Sequence, residues 1–293
     1  MRTYSHLARL GRKPTDYDIA STKLLYYPAR GFETQPPIAD WYRRYQRESP
    51  LQCSDWDTFH DPRETTYAKY TELQRGKEAF VDGVLEAEQA LAVTPAAELL
   101  PVLRFPGHGL QMLAAYVGQM APGGRIVIAS LFQTADELRR VQRFAYRMRQ
   151  LQDLAPDFGA ASRTAWETEP RWQPLREVIE RMLVTYDWGE AFVALNLVLK
   201  PRFDEVFVTQ LGELARRTGD GALGNLLFSL DEDCRWHRAW SAKVIELALA
   251  DRPANRAPIE GWLAKWTPLA AAACAPFGDG EAAGKRQVAA VGL

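Results

Sequence analysis

The sequence predicts an all-α protein, and one stretch of the chain carries most of that prediction. Residues 175–200 contain no proline and, apart from Gly189, no glycine, and the stretch ends at Pro201. Its first half repeats apolar residues at helical spacing, whereas residues 191–199 include only one polar side chain, Asn196. A helix that is apolar on every side must be buried on every side. We therefore predict one central helix inside a large helical body, and no stretch shows the alternation typical of strands.

Proline, glycine and capping residues set the bounds of the other predicted helices. Asp61 and Pro62 are typical of a helix start, and Thr94 is a predicted N-cap for the next helix. Residues 219–221 form a predicted turn, and residues 155–174 a predicted loop. The predicted helices span about 62–91, 94–121, 124–154, 175–200, 201–218, 222–249 and 259–266. The third of them has a charged face formed by Asp136, Glu137, Arg139, Arg140 and Arg143.

The chain divides into three predicted regions. Residues 1–50 form an extended arm, since prolines interrupt every helical period there, and residues 51–267 form the helical domain. The tail, residues 268–293, is rich in Ala and Gly and is predicted to be weakly ordered. The arm has no core of its own, so its aromatic rings are expected to cover either its own domain or a neighbouring subunit, and the area that such rings bury leads us to predict the neighbouring subunit. These rings are Tyr4, Tyr17, Tyr26, Tyr27, Phe32, Trp41, Tyr42 and Tyr45.

Composition excludes several classes of function. The formal net charge is -1, which does not favour a nucleic-acid or anionic-membrane partner. The three cysteines, Cys53, Cys234 and Cys274, are an odd number without a C-x-x-C motif, which argues against a disulfide framework and fits a reducing cytoplasm. No apolar run is long enough to span a bilayer, and no export signal is visible. The sequence therefore predicts a soluble cytoplasmic protein.

Three polar residues stand out in the second half of the predicted central helix: Asp187, Glu190 and Asn196. Inward carboxylates on a long bundle helix suggest a di-iron carboxylate site, which requires Glu-x-x-His pairs. No such pair is present, so we predict no metal site and no catalytic residue in this chain, and Asp187 and Glu190 become buried polar contacts or salt bridges. The four histidines are His6, His60, His108 and His237, and the residues three positions before them are Thr3, Asp57, Phe105 and Cys234.

Several motifs, in order along the chain, resemble those of one family. They are Tyr4-Ser5-His6-Leu7, Trp56-Asp57-x-Phe59-x-Asp61-Pro62, Thr66-Tyr67-x-x-Tyr70-x-x-Leu73-Gln74, Asp187-Trp188-Gly189-Glu190-Ala191-Phe192 and Arg238-x-Trp240-Ser241. Together they resemble the beta subunit of bacterial multicomponent di-iron monooxygenase hydroxylases, in the group that acts on toluene, benzene, phenol, isoprene or alkenes.

This resemblance implies a ferritin-like, ribonucleotide-reductase-like bundle. It also implies a catalytic alpha subunit that holds the di-iron centre, a small gamma subunit and an (alpha-beta-gamma)2 assembly, with a regulatory coupling protein and a ferredoxin and reductase in the wider system. His108 and His237 resemble the histidines of the alpha subunit's two Glu-x-x-His pairs. Phe105 and Cys234 stand at the positions where those pairs have Glu. Asp187 resembles a further ligand position.

The sequence thus predicts a non-catalytic structural subunit of an NADH- and O2-dependent monooxygenase that oxidises an aromatic hydrocarbon or alkene. A stand-alone ferritin-like di-iron oxidase or oxygenase is the first alternative, and iron bound to the purified chain distinguishes it. A helical adaptor unrelated to oxygenases is the second, and the proteins that co-purify distinguish that one.

Overall fold

The computed structural model describes residues 49–63, 66–87 and 92–293, and within these residues all regular structure is helical. The all-α prediction is confirmed, whereas the predicted arm, up to residue 48, lies outside the described residues. The α-helices are α1 (Tyr67–Ala87), α2 (Leu100–Met120), α3 (Gly124–Leu151), α4 (Ser162–Thr168), α5 (Gln173–Leu183), α6 (Trp188–Val193), α7 (Lys200–Asp204), α8 (Leu211–Arg217), α9 (Gly221–Asp251), α10 (Arg256–Cys274) and α11 (Glu281–Ala289). Two π-helical segments are π1 (Ala194–Leu199) and π2 (Glu205–Gln210), and 3-10 turns lie at Trp56–Thr58, Ala97–Leu99, Pro170–Trp172 and Pro253–Asn255.

Helices α2 and α3 form an antiparallel hairpin. Gly118 on α2 lies against Ser130 on α3, where a Cβ at Gly118 would stand 2.8 Å from the serine Cβ, so the two backbones approach closely. Thr94 Oγ1 accepts a hydrogen bond of 3.3 Å from the Ala97 amide, but α2 begins only at Leu100, after the 3-10 turn, so the predicted helix starts too early. α1 runs parallel to α3 and packs on its other side. No described helix is long and apolar enough to cross a membrane.

The predicted central helix is wrong in its middle and at its C-terminal end. α5 stops at Leu183, and a new helix begins at Trp188 because Asp187 caps it, with its carboxylate accepting a 2.8 Å hydrogen bond from the Glu190 amide. Pro201 does not end the helix either. It lies in the first turn of α7, directly after π1, and a π-helical turn is a place where the hydrogen-bond ladder changes without the helix stopping.

The segments α6, π1, α7, π2 and α8 therefore follow one another without a break, and we call residues 188–217 the composite helix. It lies at the centre of the bundle, since every residue of π1 and α7 is buried. The prediction of an apolar stretch buried on all sides is thus confirmed for residues 191–199.

The prediction of a weakly ordered C-terminal tail is wrong. The short helix predicted over residues 259–266 extends from Arg256 to Cys274, with Pro268 inside it, and α11 follows. Small side chains permit this, because the Ala and Gly residues let the backbones approach. Gly284 sits against the guanidinium of Arg202, which also donates a 2.8 Å hydrogen bond to Glu281.

Smaller differences concern loops and helix starts. The predicted loop 155–174 contains α4 and a 3-10 turn, and the described part of the predicted helix 62–91 begins at Tyr67 instead of Pro62. Asp61 does not cap α1. Its carboxylate accepts hydrogen bonds from the Arg63 amide at 2.8 Å and from the indole of Trp236 at 2.9 Å.

Candidate functional site: a buried cluster of charges

Charged side chains fill the middle of the bundle, between α1, α3, the composite helix and α9. Each member of this set exposes less than a tenth of its surface. We call them the ionic cluster: Lys77, Asp136, Glu137, Arg139, Arg140, Lys200, Asp204, Asp233, Cys234 and His237. Burial of charges on this scale is costly unless each is paired, so the contacts within the cluster decide what it does.

One half of the cluster is centred on two cations from different helices. The ammonium of Lys200 lies 2.5 Å from Glu137 Oε1 and 3.1 Å from the Asp204 carboxylate. The guanidinium of Arg140 lies 3.1 Å from Asp204 Oδ1 and 3.4 Å from Glu137 Oε2, and it donates to Cys234 Sγ at 3.0 Å. Two carboxylates and two cations thus alternate, with the thiol at their edge.

The other half joins α1 to α3 and α9. The Asp233 carboxylate forms an ion pair with the ammonium of Lys77 at 2.5 Å and a second ion pair with the guanidinium of Arg139. Asp136 accepts hydrogen bonds of 2.7 Å from the phenol of Tyr70 and 2.7 Å from the amide of Gln74.

The charges of the cluster balance. Four carboxylates, Asp136, Glu137, Asp204 and Asp233, face four basic side chains, Lys77, Arg139, Arg140 and Lys200, which gives -4 + 4 = 0 when all are ionised. Burial alone disfavours each ionised form, yet the neighbours outweigh it in several places. Burial raises the pKa of the Asp204 carboxyl, but Lys200 and Arg140 together hold that pKa below its usual range. Burial likewise opposes the charge of Lys200, but Asp204 and Glu137 raise the pKa of its ammonium.

His237 connects the two halves in its neutral form. Its Nε2 lies 3.0 Å from Asp136 Oδ2, and its Nδ1 lies 3.7 Å from Glu137 Oε1. Burial, followed by the charges of Lys200 and Arg140, holds the pKa of this imidazole well below its usual range. Nδ1 is buried and makes no hydrogen bond with the described residues.

The arrangement follows the plan of a dinuclear carboxylate site but carries other donors. In such sites two helices each contribute a Glu-x-x-His pair, and two further helices each contribute a carboxylate. Here α3 contributes Glu137-x-x-Arg140, α9 contributes Cys234-x-x-His237, and the composite helix contributes Lys200. The residues present do not fit a di-iron centre, because cations already occupy the space between the carboxylates. Across residues 49–63, 66–87 and 92–293 no group of three or more His, Cys, Asp or Glu is arranged to hold a metal ion.

The structure corrects one of the two interpretations of histidine pairs made from the sequence. His108 is exposed on α2, and the ring of Phe105 stacks on Trp166 at 6.1 Å, so this pair does not belong to the central cluster. Glu137 and Arg140 take that place on α3 instead. His237 and Cys234, by contrast, lie where the interpretation placed them, in the core.

Asp187 and Glu190 lie outside the cluster. Asp187 caps α6, and the Glu190 carboxylate accepts hydrogen bonds from Lys265 at 2.6 Å and the indole of Trp266 at 2.9 Å. The prediction of polar contacts or salt bridges is thus confirmed for Glu190. Asn196 is buried and accepts a 2.9 Å hydrogen bond from Gln133. His60 lies 3.1 Å from Arg125 at the surface, and His6 lies outside the described residues.

Comparisons with known proteins agree on the kind of protein this chain resembles. The model of the Methane/Phenol/Alkene Hydroxylase family matches residues 41–252. The chain is 41% identical over 286 residues to the beta subunit of the toluene-4-monooxygenase hydroxylase component of Ectopseudomonas mendocina, covering 92% of this chain and 87% of that protein. It is also 24% identical over 221 residues to the alpha subunit of the alkene monooxygenase oxygenase component of Xanthobacter autotrophicus, covering 71% of this chain and 44% of that protein.

A solved structure of toluene 4-monooxygenase with toluene bound in its resting active site includes a chain that superposes with a TM-score of 0.79. That chain is 38% identical, and the match covers 94% of this chain and 96% of that one. The predicted ferritin-like bundle is therefore confirmed. On these grounds the chain belongs to the Methane/Phenol/Alkene Hydroxylase family and is a hydroxylase subunit of a multicomponent monooxygenase.

Proposed function

We propose that this chain is the structural beta subunit of a hydroxylase that oxidises an aromatic hydrocarbon or an alkene, and that it carries neither metal nor active site. The observation that carries the proposal is the ionic cluster, in which Lys200 and Arg140 take the positions between carboxylates that metal ions take in a dinuclear site. In this proposal the di-iron centre, substrate pocket and electron entry belong to partner chains. The assembly is an (alpha-beta-gamma)2 hydroxylase in the cytoplasm, supplied with electrons from NADH through separate proteins.

Electrostatics supports the absence of iron. A dinuclear iron centre brings at least four positive charges into a cluster in which four basic side chains already face the four carboxylates. Its binding would require Lys200 and Arg140 to leave a bundle in which both are almost completely buried. Leaving a buried charge without its partner costs about 3–5 kcal/mol, so iron would have to offset this for each displaced cation.

A partner surface supports the structural role. The outward face of α3 exposes apolar side chains along one stripe at helical spacing, with exposed fractions from 38% to 59%. This outer face of α3 consists of Val127, Ile128, Leu131, Leu138 and Tyr146. A stripe of this kind indicates a protein interface.

We assign the outer face of α3 to the larger hydroxylase subunit. The toluene-4-monooxygenase relative is named a beta subunit, and the alkene monooxygenase relative is named an alpha subunit. This chain is therefore similar to both kinds of subunit. Two chains of similar fold can pair through similar helix faces.

Metal analysis of separate and assembled proteins tests the proposal. The full chain expressed alone is expected to contain no stoichiometric iron, whereas material co-expressed with the neighbouring large subunit is expected to contain iron in proportion to that subunit. Two iron ions per chain in the protein expressed alone would contradict the proposal and favour the stand-alone oxidase. Co-purification with proteins other than a hydroxylase subunit would favour the adaptor.

A further inference from the structure

The carboxyl group of Asp136 uses its two oxygens in different ways. The side chain is buried in the core of the bundle. Its Oδ1 accepts two hydrogen bonds of 2.7 Å, from the phenol of Tyr70 and from the amide of Gln74. Its Oδ2 lies 3.0 Å from Nε2 of His237. An oxygen with two donors beside an oxygen that faces a ring nitrogen is the pattern of a protonated carboxyl, whose carbonyl oxygen accepts and whose hydroxyl donates.

The imidazole of His237 lies between two carboxyl groups. Its Nδ1 is buried, makes no hydrogen bond with the described residues and lies 3.7 Å from Glu137 Oε1. A neutral imidazole has one N–H and one lone pair. A lone pair at Nδ1 would be repelled by Glu137, so the N–H is favoured there and the lone pair is left at Nε2. The proton between Nε2 and the carboxyl of Asp136 then belongs to Asp136.

The charges around the pair favour the same distribution of protons. Burial and then the Asp233 carboxylate raise the pKa of the Asp136 carboxyl well above its usual range. Three neighbours oppose this rise without outweighing it: Tyr70, Arg139 and Lys77. Burial also holds the pKa of the His237 imidazole well below its usual range, and four basic side chains add to this effect: Lys200, Arg140, Arg63 and Arg238. A proton shared by the pair therefore stays on the carboxyl.

We propose that the folded chain keeps Asp136 as a neutral carboxylic acid at pH 7, with Oδ2 donating its proton to Nε2 of His237. The acid connects three helices, since Tyr70 and Gln74 belong to α1, Asp136 to α3 and His237 to α9. Loss of the proton to solvent leaves a buried carboxylate that faces a nitrogen lone pair and lies close to Asp233, whose Oδ1 is 3.5 Å from the Gln74 amide nitrogen. The contact among the three helices is thus pH-sensitive and weakens as the pH rises.

A neutral Asp136 leaves no basic group of α1 and α3 in this half of the cluster without a carboxylate. Lys77 and Arg139 both pair with the buried Asp233. Lys77 also lies 3.4 Å from Glu232, and Arg139 lies 3.2 Å from Glu78, and both of these carboxylates are partly exposed. A negative charge on Asp136 is therefore not needed to hold these cations in the bundle.

An Asp136→Asn substitution in the full chain tests the inference. The new amide can accept from Tyr70 and Gln74 and donate to Nε2 of His237, as the acid does. The wild-type chain must also take up a proton at pH 7 in order to fold, which the variant does not need. We therefore expect Asp136→Asn to unfold at a higher urea concentration than the wild type at pH 7. A large fall in the urea midpoint, or failure to fold, would contradict the inference.

Asp233→Asn is the matched control. Asp233 is buried to the same extent as Asp136, but it pairs with two cations, Lys77 and Arg139, and these hold the pKa of its carboxyl below its usual range. Replacing an ionised group leaves both cations short of a partner, so Asp233→Asn is expected to unfold at a lower urea concentration than the wild type. Equal losses for the two variants would mean that both carboxyls are ionised.

The pH dependence of the two chains counts the protons. The unfolded wild type releases the Asp136 proton near the ordinary pKa of about 3.9, whereas the folded chain keeps it. Stability from this proton is complete below that value and is lost as the pH rises towards the folded pKa. The unfolding constant of the wild type relative to Asp136→Asn is thus expected to rise between pH 5 and pH 7, by up to about tenfold per pH unit. A constant ratio would show that the folded chain holds no extra proton.

NMR of isotope-labelled histidine in the full wild-type chain locates the proton without a change in the pair. The signals of His237 are those missing from a His237→Gln variant. We expect Nδ1 to carry hydrogen and Nε2 a lone pair at pH 7. Hydrogen on Nε2 alone would mean that Asp136 is an ionised acceptor, and hydrogen on both nitrogens would mean an imidazolium, so either result overturns the inference. The structural role proposed above would stand in both cases, because iron content tests that role.

Discussion

The two faces of α3 reverse the usual distribution of side chains. The inner face points into the bundle and carries six charged residues, none more than 9% exposed: Asp136, Glu137, Arg139, Arg140, Arg143 and Arg147. The outer face of α3 consists of the apolar side chains defined above. In most soluble proteins the charged face of such a helix meets water, and the apolar face meets the core.

The inner face of α3 depends on charged side chains from other helices, and the outer face is assigned to a partner subunit. Charges are stable inside only because neighbouring helices supply opposite charges at short distances, as Lys200 does for Glu137. A contiguous apolar stripe on the outside is typical of a protein interface, which is the role proposed for this face. Charge pairing within the chain explains the inner face, contact with a partner subunit is proposed for the outer face, and separate variants can test each one.

The largest expected effect comes from breaking the inner face at Arg140. An Arg140→Ala substitution leaves Glu137 and Asp204 short of one positive charge in a site that water does not reach. We expect the free energy of unfolding to fall by about 3–5 kcal/mol, as for other buried pairs that lose one partner. Urea unfolding followed by circular dichroism measures this loss.

Arg149→Ala is the matched control on the same helix. Arg149 pairs with Asp153 at 2.8 Å, but both side chains are about 70% exposed. Its removal is expected to cost at most ~1 kcal/mol. Equal losses for the two variants would contradict the view that the inner face depends on pairing.

The outer face of α3 is expected to affect assembly rather than folding. Leu131 is 59% exposed, so a Leu131→Asp change adds a charge without opening a cavity in the core. We expect affinity for the large hydroxylase subunit to fall by about 30-fold, which corresponds to ~2 kcal/mol at an interface hot spot. Binding is measured with the purified subunits, and melting temperature checks the fold.

Leu154→Asp is the control for this change. Leu154 is also exposed, at 48%, but it follows the end of α3 and is not part of the outer face. Leu154→Asp is expected to leave the affinity for the large hydroxylase subunit nearly unchanged. If Leu131→Asp assembles as tightly as the wild type, the outer face is not the docking surface.

Replacing both partners of an ion pair at the inner face is expected to lower the free energy of unfolding less than replacing one partner. Glu137→Leu together with Lys200→Met removes one negative and one positive charge, which leaves the Arg140–Asp204 pair balanced. Apolar replacements of buried ion pairs are often close to neutral, so we expect the double variant to be at least about 2 kcal/mol more stable than Lys200→Met alone. Additive losses, measured by urea unfolding in a double-mutant cycle, would show that the two groups are not coupled.

The sequence predicted the helices better than it predicted which way they face. Turn residues gave a correct helix limit at Gly219, whose φ of 84° is a conformation that glycine adopts readily. The charged face of α3 was also visible in the sequence. Periodicity shows that a face exists but not whether it points inward, because that depends on the charges of α7 and α9, which are distant in the chain.

The same limit of helical periodicity explains why the sequence did not reveal Glu137 and Arg140 as part of the site. Glu137-x-x-Arg140 is not recognisable as the counterpart of a ligand pair until the structure places it opposite Cys234 and His237. A signal was nevertheless present in the four arginines and two carboxylates that lie within twelve residues of a helix whose other side carries an apolar stripe. Pro201 was misread because proline normally ends a helix, and only the π-helical turn before it explains its position.

The smallest expected effect is a change in pH dependence at His237. The folded chain keeps this imidazole neutral, with a pKa well below the usual 6.5, because of burial and then the charges of Lys200 and Arg140. The unfolded chain binds a proton near that usual value, so stability is complete above it and falls as the pH drops below it, by at most ~1.4 kcal/mol per pH unit. Asp136 acts in the opposite direction, since burial and then Asp233 raise the pKa of its carboxyl, and protonation therefore favours the folded chain.

Comparing variants that all retain Asp136 isolates the contribution of the imidazole. We expect His237→Gln to lower stability at pH 7.5 by about 1–3 kcal/mol, because it disturbs a buried hydrogen bond, but to lose less than the wild type between pH 6.5 and pH 5. His108→Gln, which removes an exposed imidazole on α2, is expected to follow the wild-type curve. Urea unfolding at a series of pH values gives the three curves. Parallel curves for His237→Gln and the wild type would mean that the buried imidazole takes up its proton as readily in the folded chain as in the unfolded one, and the cluster would then not hold it neutral.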